Sequence, residues 1–277
     1  MQIRPLGAHV GAEISGFDPG RSADPAAVRD LQTALAKYGV LVLRGTALDD
    51  AAQVAFSRCF GPLEVFVKAE LTNQAVPEIM EIADVGDTTK YISVAQLWHT
   101  DGSYKETPSY ITTLRALEIC PDGGETWFAN VAAGYEALPE ARKQAIADLR
   151  VVHDIAYSRS LVPNLPPFSA KERAKVPPVM HSLVRIHSGT GQKTLYLGCH
   201  AREIVGMDLE EGRALLRELE DWTTQPRFVY RHKWQHGDYV IWDNRGTMHK
   251  VTPYDASVHR RVMHRTEVSG TALSEAA

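Results

Sequence analysis

In Trp98-His99-Thr100-Asp101, a histidine and an aspartate stand one residue apart, close enough in this 277-residue chain to share an ion. On an extended strand, residues two apart face the same way, so one imidazole and one carboxylate reach a common point without bending the backbone. Two histidines and one carboxylate on one octahedral face, with the other positions open, make the arrangement used by non-haem iron oxygenases. The third ligand must come from elsewhere, and His249, just after Trp242-Asp243-Asn244-Arg245-Gly246-Thr247-Met248, is the candidate. With 11 histidines and 34 acidic residues, about one His-x-acid pair is expected by chance from composition. A second pair, His236-Gly237-Asp238, precedes Tyr239-Val-Ile-Trp242 and reads as a turn opening a strand. His99-x-Asp101 follows apolar Leu97-Trp98 and precedes a Gly-Ser turn, a better setting for ligands.

Twelve residues after His249 stands Arg261, within Arg260-Arg261-Val262-Met263-His264-Arg265. If the two segments form a hairpin, His249 and an arginine of the second strand face one cavity. Arg261 and Arg265 share a strand face, and Arg260 and His264 share the opposite one. Guanidinium groups bind carboxylates through paired, charge-assisted hydrogen bonds, so an iron site with two inward arginines suits an anionic cosubstrate and an anionic substrate. The alternative is an exposed basic edge strand. Two histidines and an aspartate also ligate zinc, so a zinc hydrolase is the rival enzyme, but it leaves the paired arginines unexplained.

Several elements must hold these residues. Asp24, Pro25 and apolar Val28, Leu31, Leu35 and Tyr38, stopped by Gly39, predict a helix followed by a buried strand, Val40–Leu43. A second helix is expected from about Asp49 to Phe60. Strands are expected at Leu97–Asp101, Ser109–Ile119, Thr126–Ala129, Thr194–Leu197, Phe228–Trp234, Asp238–Asp243 and Val262–Val268, and helices at Tyr135–Leu149 and Leu209–Trp222. Residues 64–96 read as a long connection. Residues 158–180, with Pro163, Pro166, Pro167, Pro177 and Pro178, read as a loop; both segments are lid candidates. Strands dominate the middle and end while helices flank them, which predicts an antiparallel β core with helices outside it.

Composition narrows the partners. The net charge of -4 and the lack of any basic block argue against nucleic acid. Cys59, Cys120 and Cys199 form no Cys-x-x-Cys pair, and Met-Gln-Ile-Arg-Pro-Leu-Gly lacks the apolar core of a signal peptide. No apolar run is long enough to span a membrane. A cytoplasmic protein in a reducing compartment is expected, and a homo-oligomer by base rate.

Read in order, Gly11-Ala-Glu-Ile-Ser-Gly16, Ala55-Phe-Ser-Arg-Cys-Phe-Gly-Pro62, Trp98-His-Thr-Asp101, Gly123-Gly-Glu-Thr126, Gly237-Asp-Tyr-Val-Ile-Trp-Asp-Asn244, His249 and Arg260-Arg-Val-Met-His-Arg265 resemble the taurine dioxygenase family, also called the 2,4-dichlorophenoxyacetate dioxygenase family. The resemblance covers nearly the whole chain and implies one domain over residues 1–277, a double-stranded β-helix (jelly roll) around Fe(II). It implies that His99, Asp101 and His249 hold the iron, that Arg261 grips the far carboxylate of 2-oxoglutarate with Thr126 beside it, and that O2 is the other cosubstrate. Arg265 matches the arginine that binds the acidic group of the primary substrate. The step from His249 to Arg261 is one residue longer than in taurine dioxygenase. Arg261 is therefore anchored on the Arg-Arg-x-Met-His-Arg string, with Arg260 the neighbouring alternative.

Pro178-Val-Met-His-Ser-Leu-Val-Arg-Ile-His187, the following Gly189-Thr-Gly-Gln-Lys-Thr-Leu-Tyr196 and Phe228-Val-Tyr-Arg-His-Lys-Trp234 are similar to the phenoxyacetate branch. The implied substrate is a small carboxylate such as an aryloxyalkanoate. Taurine, an alkylsulfonate or a sulfate ester is the alternative, and a non-catalytic jelly-roll binding protein is the reading from another class. Lys68, Lys90 and Tyr157 are further substrate candidates, against the plainer view that the lysines are solvated; Ser158 and Arg159 could also line the pocket. Trp98 and Trp242 are expected to pack behind the metal, and Asp243 and Asn244 to support it or form a turn. His153, His181, His187, His200 and His232 receive no role.

Overall fold

The computed structural model describes residues 1–20, 24–65, 76–83 and 93–270, and the architecture below is that of these residues. The chain opens with antiparallel β1 (Gln2–Pro5) and β2 (Ala12–Ser15). Asp24 then caps α1 (Pro25–Tyr38): its side chain accepts from the Ala26 amide at 3.2 Å, Pro25 takes the first turn, and left-handed Gly39 ends the helix. The sequence β3 (Val40–Leu43), α2 (Asp50–Arg58), β4 (Met80–Ala83), β5 (Ile111–Glu118) and β6 (Thr126–Asn130) follows. Then come α3 (Val131–Glu136), α4 (Glu140–Ile146), β7 (Arg150–His153), α5 (Ile155–Ser160), α6 (Ala170–Lys175), β8 (Val179–Ser182), β9 (Val184–Ile186), β10 (Lys193–Leu195) and β11 (Ala201–Ile204). The chain continues with α7 (Leu209–Thr223), β12 (Val229–His232), β13 (Tyr239–Asp243), β14 (Thr247–Val251) and β15 (Val262–Val268).

A seven-stranded sheet runs β1-β2-β3-β13-β5-β15-β4, and a three-stranded sheet runs β12-β6-β14. Strand alternation decides what each face buries. On β13, Tyr239 and Ile241 pack with Leu31, Leu35 and Phe56 of the two N-terminal helices and with Phe60 just after them. Their neighbours Val240 and Trp242 turn the other way, onto Phe128, Trp234, Leu114 and Met263 between the two sheets. A third cluster, with Trp98, Met248, Leu195, Leu216 and Leu219, packs α7 against the smaller sheets. Two facing, mainly antiparallel sheets, with one parallel pair at β2-β3 and helices outside, form the jelly roll that the resemblance implies.

Four expectations change. The helix expected over Tyr135–Leu149 is broken into α3 and α4 at Pro139, which precedes α4 because proline has no N–H for the helical ladder and clashes with the preceding turn. The segment 158–180 is not a plain loop: it holds the end of α5, all of α6 with a Ser169–Glu172 capping box, and the start of β8. Its prolines fall between these elements and delimit them. The strand expected over Leu97–Asp101 shrinks to an isolated bridge at His99, followed by a turn. The hairpin expected after His249 does not form: β14 pairs with β6, while β15 lies between β5 and β4 in the opposite sheet. That placement makes β15 an interior strand and excludes the basic edge-strand alternative. Within 64–96, β4 is described; residues 66–75 and 84–92, with Lys68 and Lys90, lie outside the described residues.

Glu220 on α7 has its carboxyl pushed up to about 7 by burial and by Asp221, with Lys250 pulling it back. A raised carboxyl stabilises the fold below its unfolded value, near 4.5, and loses that contribution as pH rises through about 7. Glu220→Gln should thus leave stability at pH 4 nearly unchanged and raise it at pH 8 by on the order of 2 kcal/mol. Thermal midpoints at the two pH values check this; equal shifts at both would remove the explanation.

Candidate metal centre

His99 and His249 stand opposite one another in an antiparallel bridge. The His99 amide donates to the His249 carbonyl at 3.0 Å, and the His249 amide donates to the His99 carbonyl at 2.8 Å. Residues directly opposed in this way send their side chains to the same face, and the two imidazole centroids are 4.2 Å apart. Asp101 enters from the turn that follows, with its Oδ1 3.7 Å from Nε2 of each histidine. The three donor atoms lie within 4.8 Å of one another on buried residues, and no other such group of three occurs among the described residues.

Surrounding contacts select the protonation of each donor. The Leu97 carbonyl lies 2.8 Å from His99 Nδ1, so that nitrogen donates and Nε2 keeps its lone pair toward Asp101. Burial holds His99 below the usual histidine range against the pull of Asp101, and it holds His249 well below. Burial alone would raise Asp101, but Arg265, His249, His99 and the Thr112 hydroxyl together keep it below the usual carboxylate range. Asp101 Oδ2 accepts from Thr112 Oγ1 at 2.8 Å and from Trp242 Nε1 at 3.1 Å. Asn244 Nδ2 donates to Thr112 Oγ1 at 2.9 Å, which leaves the Thr112 proton for Asp101. Oδ1 is thereby left facing the histidines. Two neutral imidazoles and one ionised carboxylate in a buried pocket fit a ferrous ion held on one face.

A second cluster lies one pleat away. Phe128 is the cross-strand partner of His249, and Thr126, two residues along β6, shares its face. Thr126 Oγ1 accepts from Trp234 Nε1 at 3.0 Å. The buried Arg261 guanidinium lies 6.0 Å from the Trp234 ring centroid and 5.8 Å from that of Tyr254. Gly124, at φ +64, makes room for it: an added Cβ would sit 3.2 Å from Arg261 Cδ. Arg265 is also buried, and its Nη2 donates to Asp101 Oδ1 at 2.7 Å and to Glu267.

The opposite face is occupied differently. Arg260 is exposed beside Glu118 at 3.4 Å, and His264 meets Asp50 at 2.6 Å next to α2. Tyr157 points its ring to Arg213, 5.0 Å from its centroid, rather than to the histidines. Trp98 packs into the core cluster with Met248, and the Asp243 carboxylate pairs with His187 and Arg245. Sequence reasoning missed Tyr104 and His200. The His200 ring is 6.2 Å from His99 and 5.0 Å from Tyr104, and its Nδ1 is 2.9 Å from Ser158 Oγ. Burial depresses His200 to about 3, so it is neutral near pH 7. No spacing links it to His99; for Tyr104 the nearness to Asp101 was the available signal.

A donor set of this kind, with buried guanidinium groups on the facing sheet, belongs to the Fe(II)- and 2-oxoglutarate-dependent dioxygenases, oxidoreductases that also consume O2. The model of the "Taurine catabolism dioxygenase TauD, TfdA family" matches residues 2–266, and the chain belongs to that family. It is 38% identical over 256 residues to the alpha-ketoglutarate-dependent 2,4-dichlorophenoxyacetate dioxygenase of Burkholderia sp. (strain RASC), covering 87% of this chain and 86% of the relative. It is 30% identical over 285 residues to an alpha-ketoglutarate-dependent sulfate ester dioxygenase of Pseudomonas putida, covering 98% and 90%. The crystal structure of AAD-2 in complex with Mn(II) and N-oxalylglycine superposes with a TM-score of 0.86 at 36% identity, over 98% of this chain and 97% of that one.

Proposed function

We propose that the chain hydroxylates a small carboxylate of the aryloxyalkanoate type, with Fe(II) held by His99, Asp101 and His249. The observation that carries this is the convergence of the three donors beside buried Arg265, with buried Arg261 packed by the Trp234 ring whose Nε1 donates to the Thr126 hydroxyl. Arg261 pairs with the far carboxylate of 2-oxoglutarate through charge-assisted hydrogen bonds. Thr126 donates to the same carboxylate, because its oxygen already accepts from Trp234 and keeps its own proton for an anion. When bound, the iron supplies oxidative decarboxylation of the keto acid by O2, coupled to attack on a substrate C–H bond. Phe128 and Trp242 exclude water from the His249 ring, lying 5.9 and 4.8 Å from it. Arg265 orients the acid group of the substrate, and Tyr104 and His200 wall the site beside the His99 ring.

Similarity to the phenoxyacetate relative supports a carboxylate. Similarity to the sulfate ester dioxygenase keeps a sulfate ester, or taurine and its alkylsulfonate kin, as the second reading. A hydroxylated carbon bearing oxygen or sulfur falls apart, so cleavage is the outcome for either class. We take residues 1–277 as one catalytic domain, with 158–180 as a lid over the pocket, and the enzyme as a cytoplasmic homo-oligomer without nucleic-acid or membrane partners. Supporting the compartment, all three cysteines are free. No helix among the described residues is long and apolar enough to cross a membrane.

Substrate-dependent succinate formation should be measured with 2,4-dichlorophenoxyacetate, (S)-2-phenoxypropionate, an alkyl sulfate and taurine. Fastest turnover of an aryloxyalkanoate is expected, and preference for the sulfate or sulfonate would overturn the substrate assignment. Asp101→Ala should abolish ferrous-dependent turnover without unfolding the chain; retained activity would remove Asp101 from the metal set. Arg261→Ala should weaken 2-oxoglutarate by roughly two to four orders of magnitude, the equivalent of about 3–5 kcal/mol for unpairing a buried charge. Anaerobic titration of the visible charge-transfer band of the Fe(II) chelate measures this, and near-normal affinity would refute the role.

A further inference from the structure

Glu267 has no part in the reading above, yet it is buried at the centre of the site's charge arrangement. Its Oε1 accepts from Arg265 Nη2, the nitrogen that also donates to Asp101 Oδ1 at 2.7 Å. Its Oε2 accepts from Ser109 Oγ at 2.6 Å and lies 3.6 Å from Lys105 Nζ. Lys105 is itself paired with Glu64, whose Oε1 lies 3.0 Å from Ser109 Oγ. Ser109 packs on the turn after Asp101: Gly102, at φ +65, would place an added Cβ 2.6 Å from Ser109 Oγ and 2.8 Å from its nitrogen. These contacts close a ring that runs from Asp101 through Arg265, Glu267, Ser109 and Gly102 back to Asp101.

We propose that Glu267 is a positioning residue that registers the Arg265 guanidinium, and through it the substrate's acid group, against the metal centre. The proposal rests on Arg265 being the partner of that acid group. A guanidinium on a long flexible stem has many rotamers, and a carboxylate fixed by Ser109 selects one of them. With two carboxylates on one nitrogen, Arg265 is a poor general anion trap. Its use is geometric: it sets which substrate carbon faces the iron, where small displacements cost rate heavily.

The test uses the full chain reconstituted with Fe(II) and 2-oxoglutarate, with 2,4-dichlorophenoxyacetate as the probe, or the panel compound that yields most succinate. The anaerobic charge-transfer band reports 2-oxoglutarate affinity, its perturbation by the probe reports probe affinity, and the product-to-succinate ratio reports coupling. E267A should weaken the probe about tenfold and halve the coupling ratio, with 2-oxoglutarate affinity within about twofold. E267Q, which still accepts from the guanidinium, should recover part of the loss. S109A should act in the same direction by about threefold, and it carries the test if E267A does not fold. The double variant R265Q/E267A should be no worse than R265Q alone. Unchanged probe affinity and coupling in E267A and S109A, or a loss of 2-oxoglutarate affinity equal to that of the probe, would overturn the proposal. If R265Q leaves probe affinity unchanged, the assignment of Arg265 falls and takes this one with it. If R265Q is impaired and E267A is not, the Glu267 proposal alone falls.

Discussion

Two reciprocal backbone hydrogen bonds between His99 and His249 set the geometry on which the site depends. They add a one-residue fragment to the edge of the β12-β6-β14 sheet and force two imidazoles from distant parts of the chain onto one face. β14 is held by its full register with β6, so His249 is rigid, and His99 inherits that rigidity through the bridge. Asp101 needs no strand of its own. The turn beginning at Asp101 swings it back to the histidines, and Thr112, Trp242 and Asn244 immobilise the oxygen facing away from them.

The electrostatic design follows from the lack of water around these groups. Burial depresses both histidines, so the ring nitrogens keep lone pairs at neutral pH. The same burial would protonate Asp101, and a buried arginine on the facing sheet prevents it. The positive charge comes from β15 and the metal-side negative charge from the turn that follows the His99 bridge. Desolvating a guanidinium is expensive unless hydrogen bonds and counter-charges meet it. Around Arg265 that requirement is met in part by Asp101 and Glu267, and the Arg261 guanidinium also lies by the Trp234 and Tyr254 rings. The outer side of β15 runs a separate network, in which His264, Arg115 and Asp50 tie the sheet to α2.

Much of this was legible in the residues. Asp24-Pro25 and Gly39 mark both ends of α1 because capping chemistry is local. The separation of Arg261 and Arg265 from Arg260 and His264 follows from the period of a strand, whatever that strand pairs with. The breaks at Pro139 and between α5, α6 and β8 were foreshadowed by the prolines, but their number suggested a featureless loop where they only punctuate short helices. His200 gave no pattern, since its relation to the metal face is made by contacts across the fold, while the nearness of Tyr104 to Asp101 and of Glu267 to Arg265 does not single either out among its neighbours.

By itself the sequence determined the types of donor, the side of the strand on which each arginine lies, and the ordered motifs that mark the family, because these depend on neighbours within a few residues. Only the tertiary structure decided that His249 reaches His99 through a bridge instead of reaching Arg261 through a hairpin. It also decided that Arg265 reaches Asp101 from the opposite sheet, with Glu267 on the same guanidinium. The reason is that pairing partners in a jelly roll are set by how two sheets bury their shared core, a constraint that no local stretch of chain contains.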